Sequence, residues 1–225
     1  MEEINLSIQN INKRYEDHII FKNFNIDFKV DKINCIVGKS GCGKSTLLNI
    51  ISGIIKNDTE VFKTVEDIGV SYIFQEDRLI DWLTVEDNIK IVASKHYGKD
   101  KLENICDNYL NLVGIKEYKK YYPQMLSGGI RQRVNIARAF IYPSKIIIMD
   151  EPFKSIDIKN KMDIMKNLKE ILSKDKRTVI FVTHDIDEAM FLSDYIYIVG
   201  DKPLKIKKVF KNNEKIEKSD ISLHI

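Results

Sequence analysis

Four short apolar runs along the chain have the composition of buried strands. They are rich in Ile and Val and lie at residues 33–37, 145–149, 178–183 and 195–199. Continuous runs of this kind suit strands that are covered on both faces. Between the second and third runs, residues 157–173 place apolar side chains at helical spacing, with charged side chains between them. This alternation of strand and helix predicts an α/β fold with a mostly parallel central sheet.

Two other stretches have different patterns. Residues 85–120 are helix-periodic without an intervening strand pattern, which predicts a helical subdomain inserted at about 76–140 of a single domain. Residues 4–15 and 24–30 alternate loosely between apolar and polar positions, which is typical of a small antiparallel subdomain near the N-terminus.

The C-terminal tail, from about residue 202, is rich in lysine and alternates only weakly. It predicts an edge strand followed by a loose terminus.

Composition narrows the class of protein without naming a partner. The 225 residues are 44% hydrophobic and 31% charged, as in ordinary soluble globular proteins. No window approaches the roughly 18 apolar residues of a membrane span, and the first residues lack a secretion signal. The net charge of +3 is too small to indicate a nucleic-acid surface. Three cysteines without Cys-x-x-Cys spacing argue against disulfides and structural zinc, which favours the cytoplasm.

A glycine-rich segment directly after the first buried strand is the strongest chemical signal. It matches G-x-x-x-x-G-K-[ST], and it precedes a run, LLNIISGII, with the spacing of a buried helix. Its members, all candidate nucleotide-binding residues, are Gly38, Lys39, Ser40, Gly41, Cys42, Gly43, Lys44, Ser45 and Thr46. Glycines let backbone N–H groups turn onto a phosphate chain at a helix N-terminus. Lys44 would contact the β- and γ-phosphates and Ser45 would bind Mg²⁺, whereas a chance glycine-rich turn would lack these flanking elements.

Two carboxylates follow the apolar run at 145–149. Asp150 and Glu151 therefore emerge at the C-terminal end of a strand, where open α/β sheets bind ligands. Asp150 is a candidate Mg²⁺ ligand, and Glu151 is a candidate base that accepts a proton from the attacking water. An isolated Asp-Glu pair would equally be a helix start, and Lys44 upstream tips the interpretation towards a catalytic site.

A second glycine-rich helix start is found at Leu126-Ser127-Gly128-Gly129. It predicts a second phosphate-binding site at Ser127, Gly128 and Gly129. One triphosphate does not need two such sites, so the second would cap a nucleotide held mainly elsewhere. The alternative is a plain helix N-cap at Ser127 with a glycine turn.

The order of phosphate loop, LSGG and Asp-Glu-Pro resembles the ATP-binding subunits of ABC transporters over nearly the whole chain. Further landmarks of that family are Tyr15, Gln75, Ser155-Ile156-Asp157 and His184. Within the family, FQEDRLIDWLTVEDNI, Glu-Pro-Phe and THDIDEAMFLSD look most like the importers of nitrate, sulfonate and taurine.

The resemblance implies roles for individual residues. Tyr15 would stack on adenine, although a tyrosine beside a strand is often only a core or surface residue. Gln75 would contact Mg²⁺ and the attacking water, and His184 would contact the γ-phosphate. Asp157 would lie at a subunit contact, or else be an exposed turn acid. The catalytic set is then Glu151, His184, Gln75 and Lys44, and the metal set is Ser45, Gln75 and Asp150.

The resemblance also implies partners. ATP and Mg²⁺ would be bound by a head-to-tail homodimer, or by a pair of related ATPase subunits, with Ser127–Gly129 of one chain closing on the nucleotide of the other. The groove beside Gln75 to Trp82 would contact transmembrane permease subunits, and an extracytoplasmic solute-binding protein would act through the permease. No nucleic acid is expected. The chain would be cytoplasmic and peripheral on the inner face of the cell membrane.

Some features depart from the family pattern or leave alternatives open. Residues 47–74 lack a glycine-punctuated hairpin, Asp81 replaces a proline, and Lys154-Ser155-Ile156 replaces Gly-Ala-Leu. These departures bear on the solute and not on the ATPase chemistry. Cys42 is either a redox-sensitive thiol in an electropositive loop or a small residue tolerated there. A soluble ABC-type ATPase acting in assembly, or a small-molecule kinase, remains an alternative.

Overall fold

The computed structural model describes residues 5–59, 69–154, 156, 158–212 and 216–224. Its strands are Asn5–Tyr15 (β1), His18–Lys29 (β2), Ile33–Val37 (β3), Val70–Ile73 (β4), Ile146–Asp150 (β5), Thr178–Thr183 (β6), Tyr195–Gly200 (β7) and Lys205–Lys211 (β8). Its helices are Lys44–Ile51 (α1), Val85–Lys90 (α2), Lys99–Leu112 (α3), Gly128–Ile141 (α4), Ile158–Lys174 (α5), Ile186–Leu192 (α6) and Lys218–Ser222 (α7), with 3₁₀ turns at Lys116–Tyr118 and Pro123–Met125.

Within the described ranges, the central sheet has six strands in the order β4-β5-β6-β3-β7-β8, which confirms the predicted α/β fold. All neighbours are parallel except β7 and β8, which are antiparallel. Every residue of β5, β6 and β7 is buried, as expected where both faces of a parallel sheet are covered. The parallel strands bring the residues that follow β3, β5 and β6 to one edge of the sheet.

The predicted N-terminal antiparallel pair is present as β1 and β2. The second strand begins at His18, earlier than the alternation indicates. Asn10 and Asn23 adopt left-handed backbone angles, φ 57° and 48°, where the register shifts. Such bulges reverse the in–out order of side chains, which is why the alternation looked loose. Residues 60–68, within the segment expected to be trimmed, lie outside the described residues.

Two apolar cores cover the faces of the sheet. One lies between β1, β2, α1 and the sheet, and the other between the sheet and helices α2 to α6. The predicted helices of 85–120 are confirmed as α2 and α3. Helix α4 packs against both of them and against β4. The boundaries of an inserted helical subdomain at about 76–140 stay a prediction.

The predicted edge strand of the tail is confirmed as β8, whereas two other expectations were wrong: a loose terminus after that strand, and an apolar run that stays helical after the phosphate loop. After β8 the chain forms helix α7 instead of a loose terminus. This helix packs on α6 through the fully buried Ile221 and has a capping box between Glu217 and Asp220. A five-residue helix with one buried side chain has no detectable period. The apolar run after the phosphate loop does not stay helical throughout, because Gly53 takes φ 77° and ends α1, leaving Ile54 exposed.

None of the helices among the described residues is both long enough and apolar enough to cross a membrane.

Candidate functional site

The phosphate loop connects β3 to α1 at the C-terminal edge of the sheet. A Cβ at Gly38 would lie 2.4 Å from the backbone oxygen of Val199, so only glycine fits beside β7. Gly41 and Gly43 have φ of 73° and 115°, which residues with side chains rarely adopt. Lys39, Ser40 and Gly41 are exposed, whereas Thr46 is half-buried. The sequence thus builds a tight loop whose outer surface is open.

Lys44 lies inside the curve of this loop. Its side chain is buried, and Nζ donates hydrogen bonds to the backbone oxygens of Gly38 at 2.7 Å and Lys39 at 2.9 Å. Because these hydrogen-bond partners are neutral carbonyls, the positive charge of Lys44 is offset only from a distance, by the carboxylate of Asp150. The loop therefore suits an anion such as a phosphate.

Ser45 and Asp150 meet across the sheet, 105 positions apart in the chain, where the serine Oγ donates to Asp150 Oδ1 at 3.0 Å. Burial raises the pKa of Asp150, the charge of Glu151 raises it further, and the Ser45 hydrogen bond opposes both effects. No group of three or more His, Cys, Asp or Glu side chains suited to a metal occurs in the described chain. A hydroxyl and one carboxylate nevertheless fit Mg²⁺, which completes its shell with water and phosphate oxygens.

Glu151 and His184 also come together, from the ends of β5 and β6. Glu151 has a left-handed backbone, φ 42°, and its N–H donates to the Val182 oxygen at 3.0 Å. Its Oε1 lies 3.4 Å from His184 Nδ1, and its Oε2 lies 3.1 Å from Lys154 Nζ. Oε2 is buried and accepts no well-aligned hydrogen bond from the described residues. The carboxylate thus keeps acceptor capacity of the kind a general base needs.

Gln75 makes no hydrogen bond to the other two predicted metal ligands, Ser45 and Asp150, in the part of the chain that the structure describes. It is exposed, two residues after β4. Because Ile73 pairs with Met149, Gln75 leaves the same sheet edge as Glu151.

Tyr15 ends β1 with 45% of its surface exposed, so it is not a core residue. The adjoining strand β2 passes over the phosphate loop, since a Cβ at Gly43 would lie 2.7 Å from Ile20 Cγ2. The ammonium of Lys13 lies 5.6 Å from the centre of the Tyr15 ring. The ring is therefore an exposed aromatic surface on the hairpin that covers the loop.

The second glycine-rich helix start is separate from the first. Ser127 occupies the N-cap of α4, but its side chain caps no backbone N–H within the described residues. Ser127 and Gly128 are exposed, and a Cβ at Gly128 would meet nothing within 4 Å. Gly129 is half-buried. The plain N-cap alternative thus lacks its hydrogen bond.

Cys42 is buried in the apolar core between the hairpin and the sheet. Its packing favours the alternative of a small residue tolerated in the loop over a redox-sensitive thiol. Ser155 and Asp157 lie outside the described residues.

Sequence reasoning missed two residues at the site. Besides Lys154, Gln132 of α4 is buried and donates from Nε2 to the Pro152 oxygen at 2.6 Å, directly after Glu151. Lys154 had a weak signal, because it replaces a glycine of the family pattern three positions after a carboxylate. Gln132 had none, since a helical glutamine is common on any surface.

A strand, a glycine-rich loop, a buried lysine and a Ser–Asp pair at one sheet edge define the class of the protein: a nucleotide-binding α/β protein with a phosphate loop. Comparison with known proteins gives the family. Residues 21–154 match the ABC transporter family (ABC_tran), more than half of the chain. The chain belongs to this family, as an ATP-binding and ATP-hydrolysing subunit.

Individual relatives agree with this assignment. The chain is 42% identical over 201 residues to the aliphatic sulfonates import ATP-binding protein SsuB of Bacillus cereus, covering 84% of this chain and 78% of that protein. It is 35% identical to the Fe(3+) ions import ATP-binding protein FbpC of Fusobacterium nucleatum, over 88% of this chain and 56% of that protein. The dimeric post-hydrolysis structure of the ATP-binding cassette MJ0796 with ADP and Pi superposes with a TM-score of 0.77 at 28% identity, covering 92% of this chain and 99% of that one.

Proposed function

We propose that this chain hydrolyses ATP with Mg²⁺ in a closing head-to-tail dimer and thereby energises an importer of sulfonates or similar small solutes. The observation that carries the proposal is the meeting of Ser45 with Asp150, and of Glu151 with His184, beside the buried Lys44. These groups supply what phosphoryl transfer to water requires: a cationic phosphate site, a metal site and a base.

Each residue has a role in the proposed reaction. Lys44 and the loop N–H groups hold the β- and γ-phosphates, while Ser45 and Asp150 hold the metal ion, with Gln75 joining when the site closes. A metal ion held there would neutralise negative charge on the phosphates. Glu151 accepts a proton from water, whose oxygen attacks the γ-phosphorus as the bond to ADP breaks. His184 donates a hydrogen bond to the γ-phosphate.

The exposed start of α4 supports a shared site. Ser127 and Gly128 are exposed and Gly129 is half-buried, so the N-terminus of α4 faces the outside of the subunit, where its backbone N–H groups would cap the nucleotide of a second copy. The likeness to a dimeric cassette with bound ADP and Pi supports the same arrangement. Asp157 is proposed to lie at this subunit contact.

The segment from Gln75 to Trp82 is the proposed contact with membrane subunits. Trp82 is 80% exposed, and the shape of the segment is fixed by buried Asn88, whose Oδ1 accepts from the Ile80 N–H at 2.7 Å. Arg131, near the start of α4, donates to Asp77 at 2.6 Å, which connects the segment to the second glycine-rich start. The chain would thus be peripheral on the cytoplasmic face of the membrane. The permease would in turn contact an extracytoplasmic solute-binding protein.

Sulfonates are the favoured solute class because the relatives that import them are more similar than the iron importer, at 42% against 35% identity. Reconstitution of the complex with its permease and binding protein tests this directly. Alkanesulfonates should stimulate ATP hydrolysis, whereas Fe(3+) should not. Stimulation by Fe(3+) alone would replace the solute assignment.

Mixing two damaged variants tests the shared site. Lys44→Ala disables the phosphate loop, and Ser127→Arg blocks the second start with bulk and charge. Each homodimer then has two damaged sites, whereas a heterodimer concentrates both lesions in one site and leaves the other intact. Purified, differently tagged heterodimers should retain ATP that neither parent retains. If the heterodimers retain no more ATP than either parent variant, the shared-site proposal is wrong.

A further inference from the structure

The carboxylate of Glu151 is flanked by two nitrogen groups on opposite oxygens. Lys154 Nζ lies 3.1 Å from Oε2, and His184 Nδ1 lies 3.4 Å from Oε1. Only 11% of the Glu151 side chain is exposed, so this ion pair is screened less than a surface pair. Lys154 contacts this buried carboxylate from the solvent side, with 45% of its own side chain exposed.

The backbone between the two residues is a turn that folds Lys154 back over Glu151. The backbone N–H of Lys154 donates to the backbone oxygen of Glu151 at 3.2 Å, which closes the turn. At the start of this turn, the backbone N–H of Glu151 donates to the backbone oxygen of Val182 at 3.0 Å. In its middle, Gln132 Nε2 donates to the backbone oxygen of Pro152 at 2.6 Å. The turn holds the Cα positions, but a glutamate side chain still has three rotatable bonds.

We propose that Lys154 is a positioning residue for Glu151: its ammonium attracts Oε2 as an ion pair without hydrogen-bond alignment, and thereby directs Oε1 towards His184 and the attacking water. This inference rests on the proposed role of Glu151 as the base. Lys154 touches neither nucleotide nor water in this scheme, and its effect passes entirely through the glutamate. A displaced base loses much of its advantage, because misplacement by about 1 Å can cost about 100-fold in rate.

The competing explanation is that Lys154 is only a partly exposed lysine near an acid. Such pairs commonly contribute little to stability. This explanation predicts no specific effect on turnover, whereas the positioning role predicts an effect on kcat that depends on the glutamate.

The test measures kcat and KM for ATP hydrolysis by the 225-residue chain, with Lys154→Met, Lys154→Arg and the matched control Lys174→Met. Lys174 also pairs with a glutamate, Glu170, at 2.8 Å, but on the exposed far part of α5. We expect Lys154→Met to lower kcat about tenfold with KM within about twofold, because only orientation at the reacting centre is lost. Lys154→Arg should restore most of kcat, and Lys174→Met should leave it unchanged.

A double-mutant cycle with Glu151→Gln separates this inference from the proposed function. In the Glu151→Gln background, Lys154→Met should change the residual rate by less than about twofold, since its target is already gone. Full kcat in Lys154→Met, equal losses in both backgrounds, or an arginine no better than methionine would each overturn the positioning role. Full turnover in Glu151→Gln would instead overturn Glu151 as base. Thermal melting checks the fold, and Lys154→Gln repeats the test if the methionine variant does not fold.

Discussion

The chain contains two glycine-rich helix starts that have the same backbone chemistry but differ in their burial and in the side chains around them. At the start of helix α1, Lys44 is buried in the loop and Ser45 is bonded to Asp150. Helix α4 starts at the surface, with Ser127 and Gly128 exposed. The N–H groups in the first turn of a helix have no partner within the helix, so both starts suit an anion.

The difference shows that a helix start becomes a reaction site only through what the rest of the fold brings to it. At α1, parallel strands deliver two carboxylates and a histidine to the same edge. At α4, the neighbouring charged groups among the described residues include Arg131 and Asp77, which are partly exposed and bond to each other. The first start has the parts of a catalytic site within one chain, and the second has the parts of a cap for a nucleotide bound elsewhere.

Glu151→Gln should have the largest effect, and it acts on the α1 side alone. The amide keeps the shape of the side chain but cannot accept the proton of water, so hydrolysis should fall by at least about 100-fold while ATP binding persists. Single-turnover rates and nucleotide titration measure the two properties. An ATP-stabilised dimer should accumulate and be visible by light scattering. Glu170→Gln, on the exposed part of α5, is the control, and full turnover in Glu151→Gln would move the base elsewhere.

Ser127→Arg tests whether the α4 start contributes to the reaction without binding nucleotide by itself. We expect hydrolysis to fall about tenfold or more, because the substitution blocks a cap that matters only in the closed dimer. Nucleotide binding by the dilute single chain should be unchanged. Ser94→Arg adds the same bulk and charge at an exposed site after α2 and should be silent. A loss of monomer binding in Ser127→Arg would show that both starts serve the same chain.

Tyr15→Ala concerns the β1–β2 hairpin over the first start. Stacking of a base on an aromatic ring contributes about 1–3 kcal/mol to binding. Because the Tyr15 ring is partly exposed, we expect the lower value, so Tyr15→Ala should raise KM for ATP about fivefold. Because stacking tolerates different bases, GTP should also be hydrolysed. Tyr15→Phe keeps the ring and should keep KM. An unchanged KM in the alanine variant would remove Tyr15 from the site.

The smallest effect concerns a network of ion pairs in which Lys90 of α2 and Lys119 both contact Glu103 of α3. Hydrogen bonds from Lys119 and Lys90 lower the pKa of Glu103 from its ordinary value of 4.5 to about 2. A lowered pKa in the folded state stabilises the fold above pH 4.5, and this contribution is lost as pH falls towards 2. Since 48% of the Glu103 side chain is exposed, Glu103→Gln should lower the free energy of unfolding at pH 7 by less than about 1 kcal/mol.

Urea unfolding at pH 7 and at pH 3 measures that contribution. The difference between wild type and Glu103→Gln should shrink at the lower pH. A difference that grows on acidification would contradict the sign of the pKa shift.

Much of the α1 side was predictable because its signals are local. The phosphate loop lies within nine consecutive residues, and the strands at 33–37 and 178–183 are found at the predicted bounds. The α4 side was predictable as a motif but not as a surface, since nothing in Leu126-Ser127-Gly128-Gly129 reveals whether its N–H groups face the core or the outside.

The sequence by itself determined the class of fold, the family and the candidate residues, because glycine, lysine and carboxylate chemistry at fixed spacing is written within short segments. Only the tertiary structure decided that Ser45 bonds Asp150, that Glu151 lies between His184 and Lys154, and that α7 packs on the body through Ile221. These contacts depend on strand order and on burial of apolar side chains far apart in the chain, and no local pattern encodes which distant partner a side chain meets.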